Sequence, residues 1–186
     1  MIITFYDVET SGLDQHYDDI LQLAYLTVDT ETRKILRKNS FYMWEEGFRW
    51  SKAAYDVHGI SKEFLRQQPL EEMAKKYQEI YAIFNRANVV GFNNNRYDDV
   101  LLNSFMQRHA KPITIDSSQD VMLVAKEVLG LKKFPKLVDV PPMLGITENT
   151  IQMIQNFIFK SKTEAHDASY DVTATALCLG ELLKRK

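Results

Sequence analysis

The chain has 186 residues, enough for one domain with a substantial core, and its 45% hydrophobic and 26% charged content is ordinary for a globular protein. A formal net charge of -2 leaves no chain-wide cationic footprint for nucleic acid. A site built from carboxylates would itself stay negative until a cation arrives. No basic and apolar leader opens the sequence, and no apolar run approaches the roughly 18 residues of a membrane span, so a cytoplasmic protein with no membrane partner is expected. The lone Cys178, among Ala174, Leu177 and Leu182, reads as a core thiol in a reducing compartment.

In chain order, Ile2 to Val8 and Ile20 to Val28 read as strands, with Ser11 and Gly12 marking a turn between them. A third strand is predicted over Ile35 to Met43. The segment Leu70 to Arg86 carries Met73, Tyr77, Ile80, Tyr81 and Phe84 at helical spacing. A short strand, Asn88 to Gly91, and a helix from Tyr97 to His109 follow. Ile113 to Ile115 is the predicted last strand. Helical segments are then expected near Gln119 to Leu129, Lys136 to Leu144 and Glu148 to Phe159, with a closing helix from Ala168 to Leu183. No repeat or linker interrupts residues 1–186. Three strands followed by alternating helices and strands predict an α/β class, a mixed sheet flanked by helices.

Asp7 and Glu9 end the first strand. Alternation puts Ile3, Phe5, Asp7 and Glu9 on one side, so two apolar residues lead into two acids at the strand's exit, where open α/β sheets hold ligands. Asp29 and Glu31 share that spacing but read as solvated acids. In the polar loop Gly91 to Asp99, helical phase decides between two aspartates. Asp98 shares a stripe with Leu101, Leu102 and Phe105, while Asp99 lies about 100° further round, suited to solvent and the helix dipole. In His166-Asp167-Ala168-Ser169-Tyr170-Asp171, a continuous helix would hold His166 and Asp171 about 140° apart. To act together, His166 must sit on the loop before the helix, with Asp171 in its early turns. Asp167 remains a competing carboxylate. His16, His58 and His109 read as structural or solvated, and the pair His58 and Glu63 as turn and cap chemistry.

Cleaving a phosphodiester needs an attacking water, a stabilised leaving oxygen and neutralised phosphate charge, and two divalent ions about 3.5–4 Å apart serve all three. Hard oxygen ligands suit Mg²⁺ or Mn²⁺. A neutral imidazole suits the role of base toward the water.

In this order the three sites resemble the DEDDh branch of the DnaQ-like exonucleases, within the RNase H-like superfamily. Asp7-Val8-Glu9-Thr10-Ser11-Gly12-Leu13 is similar to the first family motif, Asn94 to Asp98 to the second, and His166 through Asp171 to the third. Val57-His58-Gly59-Ile60-Ser61 resembles a family turn, and Lys136-Leu137 with Leu144-Gly145-Ile146 the stretch before the last motif. The resemblance spans nearly the whole chain and implies an RNase H-like mixed five-stranded sheet. It further implies two Mg²⁺ or Mn²⁺ ions on Asp7, Glu9, Asp98 and Asp171, with His166 as general base. The implied activity releases nucleoside 5′-monophosphates from a nucleic-acid 3′ end, DNA being favoured over RNA. Thr10 would border the terminal sugar, Leu13 would pack on the terminal base, and Asn94 would join them as a substrate contact. Asn93 departs from the histidine that many proofreading members carry there. Association with a polymerase has no support in the sequence.

Lys52, Lys62, Arg66, Arg96, Arg108, Lys132, Lys133 and Lys136 are candidates to track phosphates, and Trp44, Trp50 and Tyr55 to stack bases, against the commoner reading of a solvated face. Lys184 to Lys186 complements the dipole of the last helix. Alongside single-stranded DNA exonuclease activity stand an RNA exonuclease of the same branch and, in another class, a non-catalytic module associated with a polymerase or nucleic acid.

Overall fold

The computed structural model describes residues 1–68 and 72–185. Three long strands come first: β1 (Ile2–Thr10), β2 (Ile20–Asp29) and β3 (Lys34–Tyr42). β1 is apolar on both faces, so Tyr6 and Val8 enter one core while Phe5 enters another. β3 carries Lys34, Arg37 and Lys38 and is largely exposed, as befits a sheet edge where charge discourages pairing with other chains. The short strands β4 (Asn88–Gly91) and β5 (Ser117–Asp120) complete a sheet ordered β3-β2-β1-β4-β5. β1 pairs antiparallel with β2 and parallel with β4, which makes it the strand where direction changes. The expected mixed five-stranded sheet flanked by helices is therefore the one that forms.

Each face is covered by helices whose apolar stripes match it. α3 (Met73–Phe84) and α4 (Asp98–His109) bring Ile80, Phe84, Leu101, Leu102 and Phe105 onto the side of Tyr6 and Val8. α5 (Val121–Val128) and α8 (Ala168–Leu183) bring Val121, Val124, Val172 and Leu179 onto the side of Phe5. Cys178 is buried there as a core thiol. Ile151 of α7 (Glu148–Phe159) packs against Tyr170 and Ala174. No helix among the described residues is long and apolar enough to cross a membrane.

Several elements differ from expectation. The last strand is Ser117–Asp120, not Ile113 to Ile115. Its sequence, Ser-Ser-Gln-Asp, lacks apolar or β-branched residues, and its pairing comes from the β4 backbone. Ile113 is instead a buried anchor in the core beneath α4. Two short helices were not foreseen, α1 (Lys52–His58) and α2 (Lys62–Arg66). They are too brief to show an apolar period and are set by their caps. Ser51 accepts from the Ala54 amide, Ser61 from the Phe64 amide, and Gly59 closes α1 in the left-handed region. Over 136–144 a 3₁₀ turn (Leu137–Asp139) and α6 (Val140–Met143) stand where one helix was expected. Leu70, the predicted start of the α3 helix, and Lys186 lie outside the described residues.

Candidate active site

Asp7 and Glu9 share the β1 face that holds Phe5 against α8, so they point toward the N-terminal turn of that helix, where Asp171 sits. Asp7, Glu9 and Asp171 each offer a carboxylate oxygen within 4.8 Å of the other two. Asp98 opens α4 and is buried, but it lies outside that tight group. Its charge nevertheless reaches both β1 acids. Among the described residues no salt bridge neutralises any of these acids.

Burial and mutual repulsion therefore set their protonation. Burial, then the charges of Asp171, Glu9 and Asp98, holds Asp7 well above the usual carboxylate range. Burial, then Asp171 and Asp98, pushes Glu9 to about 9. Asp171 rises to about 7 through burial, held back by the His166 amide. Burial, then Asp99 and Asp120, raises Asp98. Such a cluster is short of positive charge.

His166 stands on the turn just before α8 while Asp171 lies in the first helical turn, as helical geometry required. Its backbone is held at φ 68, a region that costs a non-glycine residue on the order of 1 kcal/mol or more, and its amide donates to Asp171 Oδ2 at 3.3 Å. The competing Asp167 is the cap of α8. Its carboxylate accepts from the Ser169 and Tyr170 amides and from Gln22 Nε2, which leaves Asp171 to the cluster.

The second loop corrects two readings. Asp99 is not a solvated helix-end acid. It accepts from the Tyr6 hydroxyl, from Asn94 Nδ2 at 3.2 Å and from Ser118 Oγ at 2.6 Å. Asn94, expected to touch substrate, is 0% exposed, and its amide is spent on Asp99 and Ser118. Its neighbour Gly91 approaches so closely that a Cβ there would lie 2.6 Å from Asn94 Cβ. Asn94 thus shapes the loop that delivers Asp98. Asn93, at φ 61, donates its amide to Asp120 Oδ1 at 2.8 Å. Tyr6 and Asp99 lie 93 positions apart, and no local pattern could have linked them.

The loop after β1 is also pinned. Asp18 accepts from Ser11 Oγ and the Asp14 amide, and Asp19 from the Arg49 amide, Arg108 and His109. His109 is structural, as expected, and Arg108 is committed to Asp19 and to the carbonyls of His16 and Asp18 rather than free for phosphate. The loop presents Leu13, 91% exposed. Thr10 Oγ1 donates to the Gly12 carbonyl at 2.7 Å. His58 does form the expected turn, its Nδ1 accepting from the Ile60 amide, and this fixes the proton on Nε2, which donates to the Thr10 carbonyl at 3.1 Å. Burial lowers the His58 pKa and so favours this neutral form.

Among the stacking candidates, Trp44 is buried in the core, while Trp50 is half-buried, donates from Nε1 to the Ile60 carbonyl and packs against the Tyr55 ring. Lys52 pairs with Asp56. Arg96, Lys132, Lys133 and Lys136 remain exposed.

A mixed sheet with acids clustered at its central strand defines the class, an RNase H-like α/β fold built around an acidic pocket. E. coli exonuclease I in complex with a dT13 oligonucleotide superposes with a TM-score of 0.71 at 21% identity, covering 98% of this chain and 41% of that one. The same enzyme with dA16 gives 0.73 at 21% identity over 98% and 40%. A DNA polymerase III PolC-type from Streptococcus sanguinis (strain SK36) is 29% identical over 128 residues, 66% of this chain and 8% of that protein. A ribonuclease T from Buchnera aphidicola subsp. Baizongia pistaciae (strain Bp) is 31% identical over 90 residues, 44% of this chain and 40% of that one. The chain thus spans well under half the length of these relatives. The RNase_T family, described as exonuclease, matches residues 4–179. The chain belongs to this family of DnaQ-like 3′→5′ exonucleases.

Proposed function

We propose that the chain removes nucleoside 5′-monophosphates from the 3′ end of single-stranded DNA, with two Mg²⁺ or Mn²⁺ ions held by Asp7, Glu9, Asp98 and Asp171. The observation that carries this reading is the convergence of Asp7, Glu9 and Asp171 within 4.8 Å, beside the turn of His166 and with no neutralising salt bridge among the described residues. Uncompensated acids raised by one another's charge fit divalent cations better than water. Bound there, the cations supply charge neutralisation and Lewis acidity at the scissile phosphate.

The protein's own residues do the rest. His166, exposed on its turn, takes the proton from the attacking water. The new bond forms between water oxygen and phosphorus, the bond from phosphorus to the upstream O3′ breaks, and that oxygen takes a proton from solvent to leave as a new 3′ hydroxyl. Thr10 borders the terminal sugar and Leu13 offers the terminal base an apolar surface, its 91% exposure unexplained by any packing role. The solved complexes of exonuclease I with oligonucleotides favour single-stranded DNA as substrate.

A 5′-labelled oligonucleotide, incubated with and without Mg²⁺, tests the proposal. Stepwise shortening from the 3′ end only with Mg²⁺ is expected, and no shortening in either lane overturns it. The ribonuclease T relative motivates a parallel RNA lane. RNA digested with DNA intact moves the substrate to RNA.

A further inference from the structure

Positive charge gathers around one exposed aromatic ring. Phe134, 46% exposed, lies in the loop after α5. Lys126 Nζ sits 4.0 Å from its ring centroid and Arg96 Cζ 5.3 Å away. Lys132, Lys133 and Lys136 are exposed on the same loop. Among the described residues none of these cations is in a salt bridge. A solvated charged face in a chain of net charge -2 has acids at hand to pair with its lysines. Here two cations share one exposed ring and three more lie on the loop that carries it, an excess of positive charge that favours an anionic polymer as partner.

The cluster adjoins the catalytic loop. Arg96 belongs to the 3₁₀ turn Asn94–Arg96 that leads into Asp98. Asp120, the cap of α5, accepts from the Asn93 amide in that same loop, so α5 and its Lys126 are tied to it. Contact with the ring limits the freedom of the Lys126 and Arg96 heads, which lowers the entropy lost on gripping a phosphate.

We propose that Phe134 with Arg96, Lys126, Lys132, Lys133 and Lys136 forms the track for single-stranded DNA on the 5′ side of the terminal nucleotide. The cations take phosphates and Phe134 takes a base or sugar face. This deepens the exonuclease reading and rests on it for the strand's direction.

Fluorescence anisotropy with 5′-labelled dT12 in EDTA, where no cleavage is expected, tests the track on the whole chain. F134A is expected to weaken binding on the order of tenfold, and F134W, which keeps a ring, to restore it. K132Q/K133Q is expected to reduce the slope of log affinity against log salt by about 1.4, from about 0.7 per phosphate contact. In Mg²⁺, the ratio of kcat/KM for dT12 over dT2 should fall in F134A by the same order. Wild-type affinity, salt slope and length preference in both variants overturn the track. So does a loss seen with rU12 while dT12 binding is untouched. Variants that match wild type on a strand which wild type degrades sink the track alone. Binding through the cluster without any 3′ shortening sinks the exonuclease reading alone.

Discussion

Glu9→Gln removes one carboxylate from the crowded group while keeping its shape and burial. Glu9 is 8% exposed, and its pKa is pushed from an ordinary 4.5 to about 9. The folded value lies above the unfolded one, so its penalty is absent below about pH 4.5, grows as pH rises, and levels off beyond about 9. At pH 7 the folded carboxyl keeps a proton that the unfolded one has released, at a cost on the order of 3 kcal/mol. Relieving that cost should raise the Tm of the metal-free protein by roughly 6–12 °C, at about 2–4 °C per kcal/mol for a chain of this size. At pH 5 the gain should nearly vanish. In Mg²⁺ at a thousand times Kd the order should reverse, because wild type gains about 4.1 kcal/mol, more than its metal-free deficit, while the variant has lost a ligand. Thermal melts in EDTA at pH 5 and 7, and in Mg²⁺ at pH 7, decide it. A lower metal-free Tm for the variant, or the same gain at both pH values, refutes the picture of mutually repelling acids.

His166→Ala should slow turnover by about 10²–10⁴-fold while leaving the Mg²⁺-induced rise in Tm intact, and unchanged turnover would remove it as base. Asn94→Ala should cost roughly 1–3 kcal/mol, because Asp99 loses a donor inside a closed network, as measured by urea denaturation. Gly12→Ala would set a Cβ 2.5 Å from Asp18 Oδ2, which Ser11 and Asp14 hold in place, and should cost roughly 1–3 kcal/mol with a raised KM. A fully stable variant would show that the loop yields.

The convergence of Asp7, Glu9 and Asp171 and the burial of Asp98 were legible because local geometry constrains these residues. Strand alternation paired Asp7 with Glu9, helical phase chose Asp98, and the angle between His166 and Asp171 forced the histidine onto a turn. Asp167 and Asp171 could not be told apart by pattern, since both lie on one face four residues apart. Only the capping bonds of Asp167 separate them. Asp99 was misread because helical phase describes one helix alone, and its hydroxyl partner Tyr6 arrives from β1. Asn94 was misplaced for the same reason, its partners lying on β5 and α4. β5 escaped notice because an edge strand of polar residues carries no apolar signature. The cations around Phe134 were visible only as scattered lysines, since their convergence depends on how α5 and the 93–96 turn meet.

Asp7, Glu9, Asp98 and Asp171 are proposed to share a pair of divalent ions. Crystals grown with Mn²⁺ and a nucleoside 5′-monophosphate, measured for anomalous scattering, test it directly. Two peaks about 3.5–4 Å apart among those carboxylates, with the His166 ring facing the phosphate, are expected. A pocket that stays free of anomalous density in saturating Mn²⁺, or peaks bound away from these acids, would contradict it.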